Sequence, residues 1–301
     1  MTRLDSLNQQ IIDNPKEAKF FVERATYFEE HGELVRATED LDRAKVIQPE
    51  NCSLYAQKAR ILIKLKNYRG VKGELDKCLG LFPDNVEGNL VMTELLLRSE
   101  KFDEALDYAD KVLKVDVYNA EAYYLKGMIF KTARDTSRAV SSFLTATEQD
   151  NTHYESYLQL GLLYSIAGDE LAISFYDNAI RIRPNSKEAL YNKGKFLQDQ
   201  NRSREALKTY SEILALDSAD AQAHYNRGFV YLTQLEVLDT AQMEFQQSLK
   251  SIPNWTDAVY NVGLTYELMG NKDEALKYYR NALDLDPTHT LSAKGLTRLG
   301  V

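Results

Sequence analysis

The sequence predicts an all-α fold, a solenoid of antiparallel helix pairs. Three observations carry that expectation. A 34-residue pattern recurs eight times and fills the chain almost end to end, and self-similarity at this period belongs to stacked helical units. Within each half of a copy, apolar residues recur at three- and four-residue steps, as a helix with one buried face requires. Small residues recur at one place in each half: Ala25, Ala59, Gly127, Gly161, Gly194, Gly228 and Gly263 in the first, and Ala37, Ala105, Ala139, Ala172, Ala206, Ala241 and Ala275 in the second. Glycine inside a helix costs about 1 kcal/mol against alanine, so its recurrence implies a packing benefit where the two helices cross.

The first element is an amphipathic helix over 3–14, with Leu4, Leu7, Ile11 and Ile12 on its apolar side and Asn14-Pro15 as its stop. It reads as the second half of an unfinished copy. The copies then occupy 18–51, 52–85, 86–119, 120–153, 154–186, 187–220, 221–255 and 256–289. The fifth is one residue short, in Ala167-Gly168-Asp169-Glu170, and the seventh one residue long, between Gln234 and Asp239. Both changes fall in turns, which tolerate them. In the last copy Val259, Val262, Gly263 and Tyr266 mark the first helix, and Ala275, Leu276, Tyr279 and Ala282 the second. Asp286-Pro287 ends it, since proline lacks the backbone donor and displaces its predecessor from helical geometry. A closing helix over 290–300 is expected to cover the last pair with Leu291, Leu296 and Leu299 while Lys294 and Arg298 face water. The expected organisation is one continuous array over 1–301 without a linker.

These positions resemble the tetratricopeptide repeat family. Tyr157, Leu160, Gly161, Tyr164, Ala172, Phe175 or Tyr176, Ala179 and Pro184 follow its motif, and the resemblance covers about residues 18–289. The third copy is the weakest, with Asn89, Thr93, Leu96 and Val117 in place of the usual residues. The resemblance implies a right-handed superhelix whose first helices line a concave groove, and a non-enzymatic scaffold that binds proteins or peptides there.

Composition bounds the alternatives. Apolar residues make up 44% and charged residues 27%, as in a folded globular chain. No apolar run reaches membrane-spanning length. The net charge of −8 opposes nucleic-acid binding, which depends on cations replacing counterions. A cytoplasmic location is expected. The alternative is periplasmic, had an upstream signal or lipid anchor been removed. His31, His153, His224 and His289 lie in different copies and form no metal-ligand spacing. No phosphate-binding glycine loop or nucleophile elbow occurs. Acidic pairs such as Asp103-Glu104 and Asp273-Glu274 sit where second helices begin, to complement the dipole and cap free amides. No catalytic residue, cofactor or metal is assigned. Cys52 and Cys78 lack a Cys-x-x-Cys spacing. They could approach if helix ends lie side by side, but spacing alone does not establish a bridge.

By resemblance, positions 2, 5, 6, 9, 12 and 13 of each copy face the groove. Position 6 then offers Gln159, Asn192, Asn226 and Asn261, and position 5 Leu158, Tyr191, Tyr225 and Tyr260. An Asn row can bond the backbone of an extended peptide without reading its sequence, as the Asn ladders of O-linked N-acetylglucosamine transferase do. The alternative is that Tyr-Asn simply stabilises the helix pairs. In the middle copies Leu90, Val91, Leu97, Tyr124, Leu125, Met128, Leu158 and Leu162 would make the groove apolar. Lys19, Glu23, Glu29, Glu30, Arg60 and Lys64 read as a solvated face. None of the position-5 residues is lysine, so the carboxylate clamp of co-chaperones in this family is not expected. The alternative function is a structural or assembly-factor subunit, bacterial envelope assembly included, that works through its outer face or ends.

Overall fold

A computed structural model describes residues 2–301. Helix α1 spans Arg3–Asp13. Eight pairs follow: α2 (Ala18–Glu30) with α3 (Leu34–Ile47), α4 (Cys52–Lys64) with α5 (Tyr68–Leu81), α6 (Val86–Arg98) with α7 (Phe102–Val115), α8 (Ala120–Thr132) with α9 (Thr136–Gln149), α10 (Tyr154–Ile166) with α11 (Leu171–Ile182), α12 (Lys187–Asp199) with α13 (Ser203–Leu216), α14 (Ala221–Thr233) with α15 (Leu238–Ser251), and α16 (Thr256–Leu268) with α17 (Lys272–Leu285). Helix α18 (Thr290–Arg298) closes the order. No strand occurs among the described residues. The chain divides into two compact units, residues 1–156 and 157–301.

Local chemistry sets the helix ends. Asn51, Asn85, Asn119, Ser186 and Asp220 end their copies and cap the first helix of the next with a side-chain oxygen, satisfying an amide the helix cannot. Asp103-Glu104 and Asp273-Glu274 do lie in the first turns of α7 and α17, but neither helix has a side-chain cap bond. Those acids complement the dipole, and Glu104 and Glu274 pair instead with Lys101 and Lys277. Between the two helices of a pair, one turn residue is left-handed. Gly32, Gly168 and Gly270 supply it without penalty, whereas Lys66, Glu100, Arg134, Asn201 and Glu236 take the same conformation at φ of 55–62°.

The glycines in the first helices have a more specific reason than close helix crossing. A Cβ on Gly127 would sit 2.5 Å from Cε1 of Phe143, and on Gly161 2.5 Å from Cε1 of Tyr176. Gly194 and Tyr210, Gly228 and Phe245, and Gly263 and Tyr279 repeat the arrangement. Each glycine seats an aromatic ring from the second helix of its own pair, and these rings are almost wholly buried. Burial pushes the Tyr176 hydroxyl up to about 12. The first three copies carry Ala25 with Leu41, Ala59 with Leu75, and Thr93 with Ala109 at the corresponding positions, all six buried.

The end helices differ in detail from expectation. In α1, Leu7 and Ile11 are buried but Ile12 is 71% exposed. In α18, Ser292 and Gly295 face inward with Leu296 and Leu299, while Leu291 is 46% exposed. A helix advances 100° per residue, so Ile12 and Leu291 each fall one step off the covered stripe. Arg298 is exposed, as expected, and also makes an ion pair: its Nε and Nη2 each donate to Glu267 at 2.8 Å, and Glu267 also accepts from the Tyr279 hydroxyl. Cys52, at the start of α4, and Cys78, in α5, are buried and joined by a disulfide with Cα atoms 4.8 Å apart.

Candidate functional site

The expected binding residues separate into three environments. In the first unit, α6 and α8 bound a cavity of about 460 Å³. Leu97, Tyr124, Leu125 and Met128 line it, with Glu94, Arg98, Glu100 and Glu121 around its mouth. Both helices are the first of their pair, the face on which the sequence places a groove. Arg98 donates to Glu94 at 2.9 Å, and His153 Nε2 lies 3.2 Å from Glu121. Glu100 has no ion-pair partner among the described residues. Val91 does not join this surface: it is 1% exposed and packs in the core with Leu95 and Leu96.

The Tyr residues of position 5 form a seam. Tyr124 lies 5.9 Å from the Phe143 ring and 5.2 Å from His153. Tyr225 lies 5.5 Å from Phe245 and stacks on Trp255 at 4.4 Å. Tyr260 lies 5.6 Å from Tyr279 and 5.4 Å from His289. Tyr191 donates its hydroxyl to Asp220, and burial, with that carboxylate, raises its pKa. Every one of these tyrosines thus touches the residue that ends its own copy and starts the next helix. His153 and His289 combine both duties, each accepting a backbone amide at Nδ1, from Ser156 at 3.2 Å and Ser292 at 3.3 Å. Sequence reading missed this role. Its signal was available as an offset of 29 or 30 residues from each tyrosine to its partner.

The amides of position 6 are not equivalent. Asn192 and Asn226 are half-buried, and their side-chain amides make no hydrogen bond among the described residues. Asn261 is 5% exposed and donates to the Tyr225 hydroxyl at 3.1 Å. Gln159 and Leu162 are half-buried, and Leu158 is 4% exposed. Of the charged residues near the N-terminus, Lys64 pairs with Glu29 at 2.7 Å, Arg60 with Glu87 at 2.8 Å and Glu30 with Arg3 at 2.8 Å. Among the described residues, no group of three or more His, Cys, Asp or Glu could hold a metal ion, and no helix is long and apolar enough to cross a membrane.

Family models described as tetratricopeptide repeat match residues 93–154 and 256–289, the latter coinciding with the eighth copy, and one described as TPR repeat matches 194–234. Anaphase-promoting complex subunit 3 of Schizosaccharomyces pombe is 23% identical over 205 residues, 68% of this chain and 31% of that protein. Superkiller complex protein 3 of Homo sapiens is 28% identical over 248 residues, 76% of this chain and 15% of that protein. The chain therefore spans less than a third of either relative. A crystal structure of YrrB, described as a TPR protein with an unusual peptide-binding site, aligns with a TM-score of 0.53 at 23% identity, over 63% of this chain and 97% of that one. That likeness concerns the fold. With its repeating helix pairs and its glycine seats for aromatic rings, the chain belongs to the tetratricopeptide repeat family.

Proposed function

We propose that this chain is a non-enzymatic protein-interaction scaffold that holds an extended peptide or a partner's helix against the first helices of its compact units. The cavity between α6 and α8 carries the reading. Its volume lies within the range of about 300–1,000 Å³ usual for ligand sites, and its apolar lining from Tyr124 and Met128 meets polar groups at the mouth. The unengaged amides of Asn192 and Asn226 support it further, since each offers a donor and an acceptor to a peptide backbone. Two relatives named as subunits of complexes support an assembly role.

The test is site-specific photo-crosslinking. A photoreactive side chain at Met128 or Asn226 is expected to capture a partner segment, and Asn192→Ala with Asn226→Ala to reduce capture while helicity is kept. Capture only from second-helix positions would replace this reading with that of a subunit working through its outer face. Capture from neither set would remove the scaffold reading.

A further inference from the structure

Three ion pairs recur at one spacing. Lys58 meets Asp42 at 2.6 Å, Lys126 meets Asp110 at 2.8 Å and Lys193 meets Asp177 at 2.6 Å. Each joins the second helix of one pair to the first helix of the next, sixteen residues on. Asp76 occupies the same place in α5, but the residue sixteen positions later is Met92. Asp76 turns to Lys72 on its own helix instead, and Met92 is buried.

The cleft that a lysine stem would fill is open. A cavity of about 590 Å³ lies between α5 and α7, floored by Met92, Leu95 and Leu96 of α6. Gly73 widens its mouth: a Cβ there would meet nothing within 4 Å. Every other copy carries a side chain at this position, from Ser141 to Lys208. A glycine with empty space around it, inside a helix it disfavours, has no packing reason. The rim is charged but largely self-neutralised, with Lys72 paired to Asp76 and Lys101 to Glu104. Arg69 remains on the rim, exposed and without an ion-pair partner among the described residues.

We propose that this cleft, on the second-helix side of the chain, docks a partner segment bearing one large apolar side chain beside a carboxylate. The apolar group enters over Met92, Leu95 and Leu96. The carboxylate meets Arg69, the one rim cation without a partner, so a basic segment is disfavoured. The site is independent of the first-helix face.

The experiment is fluorescence anisotropy on the full chain with a short labelled peptide holding one Phe flanked by Glu. Saturable binding is expected, weakened roughly tenfold or more when the peptide's Phe becomes Ser. Gly73→Leu should weaken it as much, by filling the mouth with a residue that favours the helix. Arg69→Glu should reverse the preference toward a Lys-flanked probe. Met92→Lys should abolish binding while completing the ion pair with Asp76, with circular dichroism unchanged. Met128→Ser, on the other face, should leave binding intact. The proposal is overturned by absence of saturation, by equal binding of the Lys-flanked probe to the parent chain, or by indifference to Gly73→Leu. If Met92→Lys fails to fold, the Gly73→Leu result decides.

Discussion

Copies four to eight and copies one and two fill the same crossing with different divisions of volume. In the later copies the first helix gives up its side chain and the second supplies a ring, as at Gly127 with Phe143 and Gly194 with Tyr210. In the first two, alanine faces leucine; in the third, Thr93 faces Ala109. In the first two copies a methyl appears on the first helix as the ring on the second shrinks to leucine, and both positions stay buried. Close packing explains this, because an interior tolerates redistribution of volume better than its gain or loss. The third copy, which departs most from the family motif, departs here as well: Thr93 and Ala109 are both small, so the exchange does not extend to it.

The comparison can be broken in order of expected effect. Phe143→Ala leaves Gly127 facing a void and is expected to cost about 3–5 kcal/mol. Denaturant unfolding measures it, with hydrogen exchange localising the loss to α8 and α9. Gly127→Ala alone drives a methyl into the Phe143 ring and should cost about 1–3 kcal/mol. Combined with Phe143→Leu it copies the division of the first two copies. The double variant should be more stable than the sum of the single costs, and simple additivity would refute volume exchange as the rule.

The ends offer a smaller test. Arg298 holds the Glu267 carboxyl below its ordinary value of 4.5 by hydrogen bonding, with a further contribution from Tyr279 against the opposing effect of burial. The unfolded chain binds that proton more readily, so the contribution is complete above pH 4.5 and fades as pH falls through the folded value. Because Arg298 is 46% exposed, Glu267→Gln should cost only about 1 kcal/mol, read as faster amide exchange in α18 at neutral pH and a reduced difference from the parent in acid. Smallest of all, Lys66→Gly or Arg134→Gly should stabilise the chain by up to about 1 kcal/mol, because left-handed backbone strains a residue with a Cβ. A thermal midpoint unchanged or lowered in both would show that the turn pays no such penalty.

Much of the architecture was legible because helix-pair stacking writes itself into a period. The copy boundaries, the shortened fifth turn and the lengthened seventh all coincide with turns between observed helices. Where a single copy of the pattern had to be read at an end, Ile12 and Leu291 were misplaced by one helical step. Position within a copy also marked which residues belong together near α6 and α8, and Leu97, Tyr124 and Met128 do share a cavity. It did not tell what each side chain touches. Tyr225 meets Phe245 and Trp255, and Asn261 bonds Tyr225, contacts made across helices and copies.

The sequence by itself determined the helix pairs, their number and their order, because periodic burial along one chain is a local property repeated eight times. Only the tertiary structure decided which glycine seats which ring, which ends the Cys52–Cys78 bridge joins, and that Met92 beside Gly73 leaves a cleft open. Those outcomes depend on residues from separate helices competing for one volume, and a linear pattern does not record who occupies it.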